Sequence, residues 1–326
     1  MTTPLAAQYP LSPTPVLPFN LFPPHPTFSG YVTARGTIRD DTATFTINRA
    51  RLTLHVLPVR FAAVRVQVDF SGIGRTSGDT IPATLLTDAY VTLAPQDTSR
   101  RLIDLLRPSL VVGQFRTPFS LEYLTPSTRL PTVNRSQAVD RLGPRRDLGA
   151  LGQLRFAHVA TFTGAVVNGE GPNRTSNSNG KEMAIGRLTV FPLSSLAVSG
   201  KWLGHGADHR WGYDVRWATR GFIIEGEAIK RKGPVDSSTH LDGSGGYALV
   251  AYRLLPWLQP AVKWERLRQR TSGSIGGFEQ RLTWITYATT LSAAEERLRF
   301  QLAWIARSER PVHANGELVA QLQAVF

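Results

Sequence analysis

The sequence predicts an all-β fold, a 16-stranded antiparallel transmembrane β-barrel, and three observations carry that prediction. Apolar and polar residues alternate from Phe28 almost to the end, connectors alternate between short and long, and Phe326 closes a last alternating segment, "ELVAQLQAVF". Period-two alternation marks strands with one apolar and one polar face. Short turns at one end and long loops at the other are the pattern of an outer-membrane barrel, and a soluble sandwich has no reason to sort its loops by length. An amphipathic last strand ending in phenylalanine has the form of a barrel-assembly signal.

Taken in order, residues 1–27 form a proline-rich N-terminal arm and 28–326 the barrel. Leu5-Ala6-Ala7 before Gln8 resembles a small-residue cleavage site, so 1–7 read either as a signal-peptide remnant or as an ordinary disordered tail. Residues 8–27 hold seven prolines, which donate no amide hydrogen and fix the backbone, so this stretch is extended and serves as a spacer, a plug or a docking arm. Strands are expected at roughly 28–38, 43–57, 61–70, 85–93, 109–116, 147–156, 158–167 and 181–191 in the first half. The second half continues with 195–203, 210–217, 221–230, 246–254, 259–269, 277–289, 296–307 and 317–326. In "RARLTLHV", Ala50, Leu52, Leu54 and Val56 oppose Arg49, Arg51, Thr53 and His55. In "AVRVQVDF", Val64, Val66, Val68 and Phe70 oppose Arg65, Gln67 and Asp69. "ERLRFQLAWIAR" sets Leu298, Phe300, Leu302, Trp304 and Ala306 against Arg297, Arg299, Gln301, Ala303, Ile305 and Arg307.

Counted from the first hairpin, the even connectors are mostly short ("PVR", "FPLSS", "ATRG", "LLPW") and the odd ones mostly long ("NGEGPNRTSNSNG", "KRKGPVDSSTHLDGSGG", "RTSGSIGG"). Only "RDDT" and "APQDTSRRLIDLLRP" depart from this parity. Both termini then fall on the short-turn side. Trp211, Trp257 and Tyr31 fall near strand ends, where interfacial rings form girdles.

Composition narrows the partners. The chain carries 37 basic and 24 acidic residues, a formal charge of +13, with only five lysines among the basic ones. Such an excess attracts anions, whether nucleic acid, anionic lipid or small solutes. Arginine recurs on alternate positions along the whole chain rather than in one aromatic-interleaved patch, which suits a lumen and not a nucleic-acid surface. The absence of cysteine excludes disulfides, thiolate metal sites and thiol nucleophiles. No apolar run reaches the 18 residues of a membrane helix, whereas a barrel strand needs only about 10 per crossing. No enzyme, metal or cofactor is expected. His205 and His209 are four apart in an expected loop, where that spacing aligns nothing. Asp69 and Asp88 read as salt-bridge partners of Arg65 rather than a catalytic pair.

The segments "FTINRARLTL", "VQVDF", "LTDAYVTL", "VVGQFRTPFSLEYLT", "NRS", "RRDLGA" and "VVNGEGPN" follow one another as in the phosphate-selective porin O/P family, which residues 44–173 resemble most. The resemblance implies a bacterial outer-membrane barrel, usually a homotrimer, whose long third extracellular loop folds into the lumen and narrows the pore. The strand count independently makes the insert between 116 and 147 the third long-side connector. A 16-strand barrel is too wide for side chains to fill, so selectivity needs charge on a constriction. We expect Arg116 and Arg135 nearest the narrowest point, with Arg129, Arg141, Arg145 and Arg146 belonging to the insert along with Arg135. Arg49, Arg51 and Arg65 would line the wall, and Glu122 and Asp147 would pair with insert arginines to hold the loop. The expected solutes are small anions, phosphate or chloride-like. The scarcity of lysine departs from the family's phosphate-binding members. The rival expectation is a barrel that serves as an anchor, with residues 8–27 binding a periplasmic or cell-wall partner.

Overall fold

The computed structural model describes residues 25–72, 85–95, 101–177, 180–235, 238–273, 276–311 and 316–326. Most of the proline arm, including the candidate cleavage site before Gln8, therefore lies outside the described residues. Sixteen strands follow one another: β1 (Thr27–Arg39), β2 (Thr42–Val59), β3 (Ala62–Asp69), β4 (Leu86–Leu93), β5 (Ser109–Arg116), β6 (Arg146–Phe156), β7 (Ala160–Val167) and β8 (Met183–Leu193). The second half comprises β9 (Leu196–His205), β10 (Asp208–Thr219), β11 (Phe222–Pro234), β12 (Thr239–Tyr252), β13 (Leu258–Gly273), β14 (Gly276–Ala293), β15 (Leu298–Arg310) and β16 (Gly316–Val325). Each pairs antiparallel with its sequence neighbours, and β1 pairs with β16 to close the barrel, Tyr31 opposite Val325 and Ile38 opposite Leu318. Closure leaves no strand edge, so every strand finds ladder partners without water, as a bilayer requires.

The two faces divide as the alternation predicts. Along β15, Leu298, Phe300, Leu302 and Trp304 are exposed on the outside while Arg299, Gln301, Ala303 and Ile305 are buried inside. Along β9 and β10 the outer face carries Val198, Trp202, Trp211, Tyr213, Val215 and Trp217, and the inner face Ser199, Lys201, Arg210, Asp214 and Arg216. This inverts a soluble protein: apolar side chains face the hydrocarbon and polar ones fill the interior.

Three expectations need correction. The connectors read as long loops after β11 and β13 are mostly strand, since β12 begins at Thr239 and β13 and β14 run to Gly273 and from Gly276. "DGSGG" signals a turn by composition, yet its glycines lie in the β12 ladder, where missing side chains make room for another segment (below). Likewise His205 and His209 flank a tight turn at Gly206 and Ala207 and lie in paired strands, not in a loop. Tyr31 is not part of an aromatic girdle. It is buried and faces the lumen, its hydroxyl 2.7 Å from Ser127 Oγ, whereas Trp211 and Trp257 are exposed on the outside. The long even connector holds a short helix, Arg101–Leu106, whose Leu105 carbonyl accepts the Ala157 amide at the neighbouring turn. Phe326 exchanges backbone hydrogen bonds with Gly30, and its ring lies over that glycine, where a Cβ would come within 2.5 Å of it.

Candidate functional site

Between β5 and β6 the insert, Thr117 to Arg145, folds into short pieces dictated by its own sequence. Ser120 caps the helix Leu121–Leu124 by accepting the Tyr123 amide, and Ser136 caps the helix Gln137–Leu142 by accepting that of Val139. Serine at such positions satisfies amides that the first helical turn leaves without partners. A 3-10 turn, Ser127–Arg129, lies between them. The apolar residues Phe119, Leu121, Leu124, Val139 and Leu142 are all buried.

Hydrogen bonds place this insert inside the barrel, because its partners are lumen-facing side chains from well-separated strands. Arg187 on β8 donates to the Phe119 carbonyl (2.7 Å) and Arg210 on β10 to that of Leu142 (3.1 Å). From β13, Lys263 donates to the Asn134 carbonyl at 2.7 Å. On β15 Arg299 donates to the carbonyls of Thr128 and Leu130, and on β1 Arg35 donates to that of Val133 (2.8 Å). Helix Gln137–Leu142 packs on β12 where Gly243 and Gly245 face the lumen. A Cβ at Gly243 would lie 2.6 Å from Leu142 Cδ2, and one at Gly245 2.9 Å from Ala138 Cβ.

The charges on the two sides of the insert differ. Against β8–β13 they are buried and matched. Arg187 and Lys201 share Asp214, and Lys201 also pairs with Glu227. Arg216 pairs with Glu225, Lys263 with Glu122 and Glu265, and Arg210 and Arg231 with Asp208. Six cations thus meet six carboxylates. Glu227 additionally accepts from the Ser120 hydroxyl and the Glu122 amide, so this network anchors the start of the insert.

Against β1–β6 the balance is positive. Arg51 pairs with Asp69 at 2.7 Å, and Asp88 is shared by Arg65 at 3.2 Å and Arg146 at 2.6 Å. Arg35, Arg49, Arg116 and Arg135 form no ion pair among the described residues. Instead Arg116 donates to the carbonyls of Tyr123 and Leu124, and Arg135 to those of Glu122 and Thr125, with its guanidinium 5.3 Å from the Tyr123 ring centre. Arg49 lies in the combined field of Arg135, Arg51 and Arg35. The Asn48 side-chain oxygen, in the amide orientation that satisfies both neighbours, accepts from Arg49 and Arg35 at 3.2 and 3.1 Å. All four are half-buried and so within reach of water. Burial, above all, lowers the Arg135 pKa from the ordinary arginine value, while Tyr123 and Glu122 act in the opposite sense.

The residues singled out from sequence therefore separate. Arg49, Arg51, Arg65, Arg116, Arg135 and Arg146 come together on the β1–β6 side. Arg129, Arg141 and Arg145 are exposed on the insert, Arg141 donating to Gln137 and Gln280. Two holding roles differ from expectation. Glu122 grips a wall lysine, Lys263, and the Ser136 amide rather than an insert arginine. Asp147 accepts the amides of Gly169 and Gly171 and so holds the next long connector. Asp69 pairs with Arg51 rather than Arg65. Sequence reasoning missed Arg35, Arg187, Lys201, Lys263 and Arg299. Strand phase alone could have found them, since Lys201 shares a face with Ser199 and Lys263 with Gln259. Among the described residues no cluster of three or more His, Asp or Glu side chains is placed to hold a metal ion.

Comparison with solved structures gives the same architecture. The trimer form of OmpT, an outer-membrane protein of Vibrio cholerae, superposes with a TM-score of 0.61 at 10% identity, covering 92% of this chain and 99% of that one. The outer-membrane channel DcaP of Acinetobacter baumannii gives 0.62 at 12% identity, covering 92% and 97%. An anion-selective porin from Comamonas acidovorans gives 0.59 at 11% identity, covering 92% and 99%. A search of curated proteins finds no match to this chain. The family model for phosphate-selective porins O and P, however, matches residues 28–196. That match runs from the first strand into β9 on a closed porin barrel, and the chain accordingly belongs to the phosphate-selective porin O and P family of the bacterial outer membrane.

Proposed function

We propose that the protein is a water-filled, anion-preferring diffusion channel whose conducting path runs between the insert and the β1–β6 wall. One observation carries this reading: among the described residues, the seven guanidiniums on that side (Arg35, Arg49, Arg51, Arg65, Arg116, Arg135 and Arg146) form ion pairs with two carboxylates alone, Asp69 and Asp88, while against β8–β13 six cations pair with six carboxylates. A unit anion about 4 Å from one guanidinium gains roughly 1 kcal/mol in bulk water and about 4 kcal/mol at the effective dielectric of a protein surface. Several such groups in a row attract an anion inward, and their planar forks replace part of its hydration. None encloses it, so the ion leaves as readily as it enters. Phosphate, with its oxygens matched to guanidinium forks, is the solute we infer to bind best.

In this reading the protein works as a homotrimer, as the OmpT structure was solved, and shares its preference for anions with the Comamonas porin. Residues 28–326 are the channel, and we infer that the proline-rich residues 8–27 bind a periplasmic or cell-wall partner. Deleting the arm should leave conductance intact and release that partner.

The channel reading is tested by reversal potential in a planar bilayer under a potassium chloride gradient, with phosphate titrated in. The parent should select anions, and low phosphate should block chloride current. Arg49→Gln should shift the reversal potential toward zero with the insert in place, because Arg49 does not hold the insert. Arg135→Gln should do so more strongly. Cation preference, or a reversal potential indifferent to both substitutions, would sink the reading.

A further inference from the structure

The barrel's outer surface holds a feature that conduction does not use. Between β10 and β13 lies a groove of about 550 Å³ on the membrane-facing side. Its floor is built from the smallest outward residues of β11 and β12, with Gly226, Ala228, Ser244 and Gly246 in adjacent register. Gly246 keeps the floor flat, since a Cβ there would fall 2.3 Å from the Glu227 carbonyl oxygen. Tyr213 and Val215 form one bank, and Trp264, Arg266 and Arg268 the other.

The lower half of this groove is apolar or small and the upper half is basic. Trp264 lies opposite Ala248, Arg266 opposite Gly246, Arg268 opposite Ser244 and Arg270 opposite Asp242. Lys230 continues the Ser244 row and lies over the Trp211 ring at 5.4 Å. Arg266, Arg268 and Arg270 come eight, ten and twelve residues after Leu258, where β13 begins on the short-turn side. A tilted strand crosses the hydrocarbon in about 9–11 residues, so these cations stand at the outer-leaflet interface. Of them only Arg268 has a carboxylate partner: it shares Glu279 with Arg281, at 2.8 and 2.7 Å, whereas Arg266, Arg270, Lys230 and Lys232 form no ion pair among the described residues. Outward arginine and lysine cost little at the interface, where they can meet an interfacial anion. An anionic head above and room for a chain below is the shape of one kind of molecule.

We propose that this groove binds a phosphorylated glycolipid of the outer leaflet, its phosphates on Arg266, Arg268 and Lys230 and an acyl chain along the Gly226–Ala248 floor. The commitment to lipid rests on charge complementarity joined to an apolar floor, which free phosphate would not need.

The test measures retention of purified diphosphoryl lipid A by the folded, detergent-solubilised protein, by native mass spectrometry, beside its dephosphorylated counterpart. Each basic residue near a membrane surface contributes enough that Arg266→Gln/Arg268→Gln should weaken retention roughly ten- to thirty-fold. Ser244→Trp, which fills the groove and leaves every charge in place, should also weaken it. Heat-modifiable gel mobility and an unchanged reversal potential keep folding and the channel reading separate from the outcome. Equal retention of the dephosphorylated lipid, or undiminished retention by both variants, would overturn the proposal. Displacement of lipid A by millimolar inorganic phosphate would overturn it in favour of a simple anion site.

Discussion

Replacing Lys263 with methionine should release the insert from the wall. The Lys263 ammonium is fully buried, 3.2 Å from Glu122, 3.4 Å from Glu265 and 2.7 Å from the Asn134 carbonyl oxygen. Both carboxylates also accept amides of the insert, Glu122 from Ser136 at 2.6 Å and Glu265 from Gln137 at 3.3 Å. Lys263→Met would leave two neighbouring buried carboxylates without a counter-charge. Removing one partner of a buried pair costs about 3–5 kcal/mol, because the charge left behind has lost both water and its neighbour. At about 1.4 kcal/mol per factor of ten, the ratio of docked to undocked insert falls by roughly two to three and a half powers of ten. Single-channel recordings should show larger, noisier conductance, and trypsin should cut faster after Arg141 and Arg145. The control is Glu122→Gln/Lys263→Met/Glu265→Gln, which removes all three charges and should recover most of the loss. If Lys263→Met alone stays as quiet and as protease-resistant as the parent, the insert is not held by this triad and the reasoning fails.

Other outcomes follow from the same geometry. Gly243→Val drives a side chain into Leu142 and should cost about 1–3 kcal/mol of insert docking, read as a rise in open-channel noise. Leu302→Arg puts a charge on the outer face midway along β15 and should cost about 2–4 kcal/mol in a lipid-refolding titration. Tyr31→Phe removes one buried hydroxyl bond to Ser127 and should cost only about 0.5–1.5 kcal/mol, with conductance little changed.

Strand number, order and facing were legible because a bilayer permits few solutions. Once alternation names the strands and loop parity names the ends, closure is forced, and residues such as Arg65 and Trp304 fall on their proper faces. The misreadings came where tertiary context overrides composition. "DGSGG" looks like a turn, but Gly243 and Gly245 are small because a helix lies against them. Tyr31 looks interfacial by position along its strand, but parity puts it inside, beside Ser127. The partners of Glu122 and Asp147 were illegible for a different reason. Pairing inside a lumen joins residues more than a hundred positions apart, as with Glu122 and Lys263, and strand phase says only that both face inward. The insert's path had no local signal at all. It is set by wall side chains that reach its carbonyls.

The use of carbonyls resolves a conflict in the design of such a constriction. A loop crossing an aqueous lumen must be held against thermal motion, and arginine holds it well. A guanidinium bound to a carboxylate, however, has no net charge left for a solute. Arg35, Arg116 and Arg135 are instead satisfied by the backbone oxygens of Val133, Tyr123, Leu124, Glu122 and Thr125. Each such bond contributes about 1.5–3 kcal/mol because its donor is charged, yet its acceptor is a dipole with no charge to cancel. The loop is fixed and the cations keep their field. On the β8–β13 side Arg187, Arg210 and Lys263 also reach insert carbonyls, but each is paired with a carboxylate as well, and Glu227 holds both Ser120 and Lys201. In the proposed channel, carbonyl acceptors alone on one flank and added carboxylates on the other would decide which side of the insert an anion takes. Introducing a carboxylate on the first flank, as in Asn134→Asp beside Arg35 at 2.9 Å, should lower anion selectivity while tightening the loop. Reversal potential and trypsin resistance must then move in opposite directions. If both fall together, holding and attraction are not separable in the way argued.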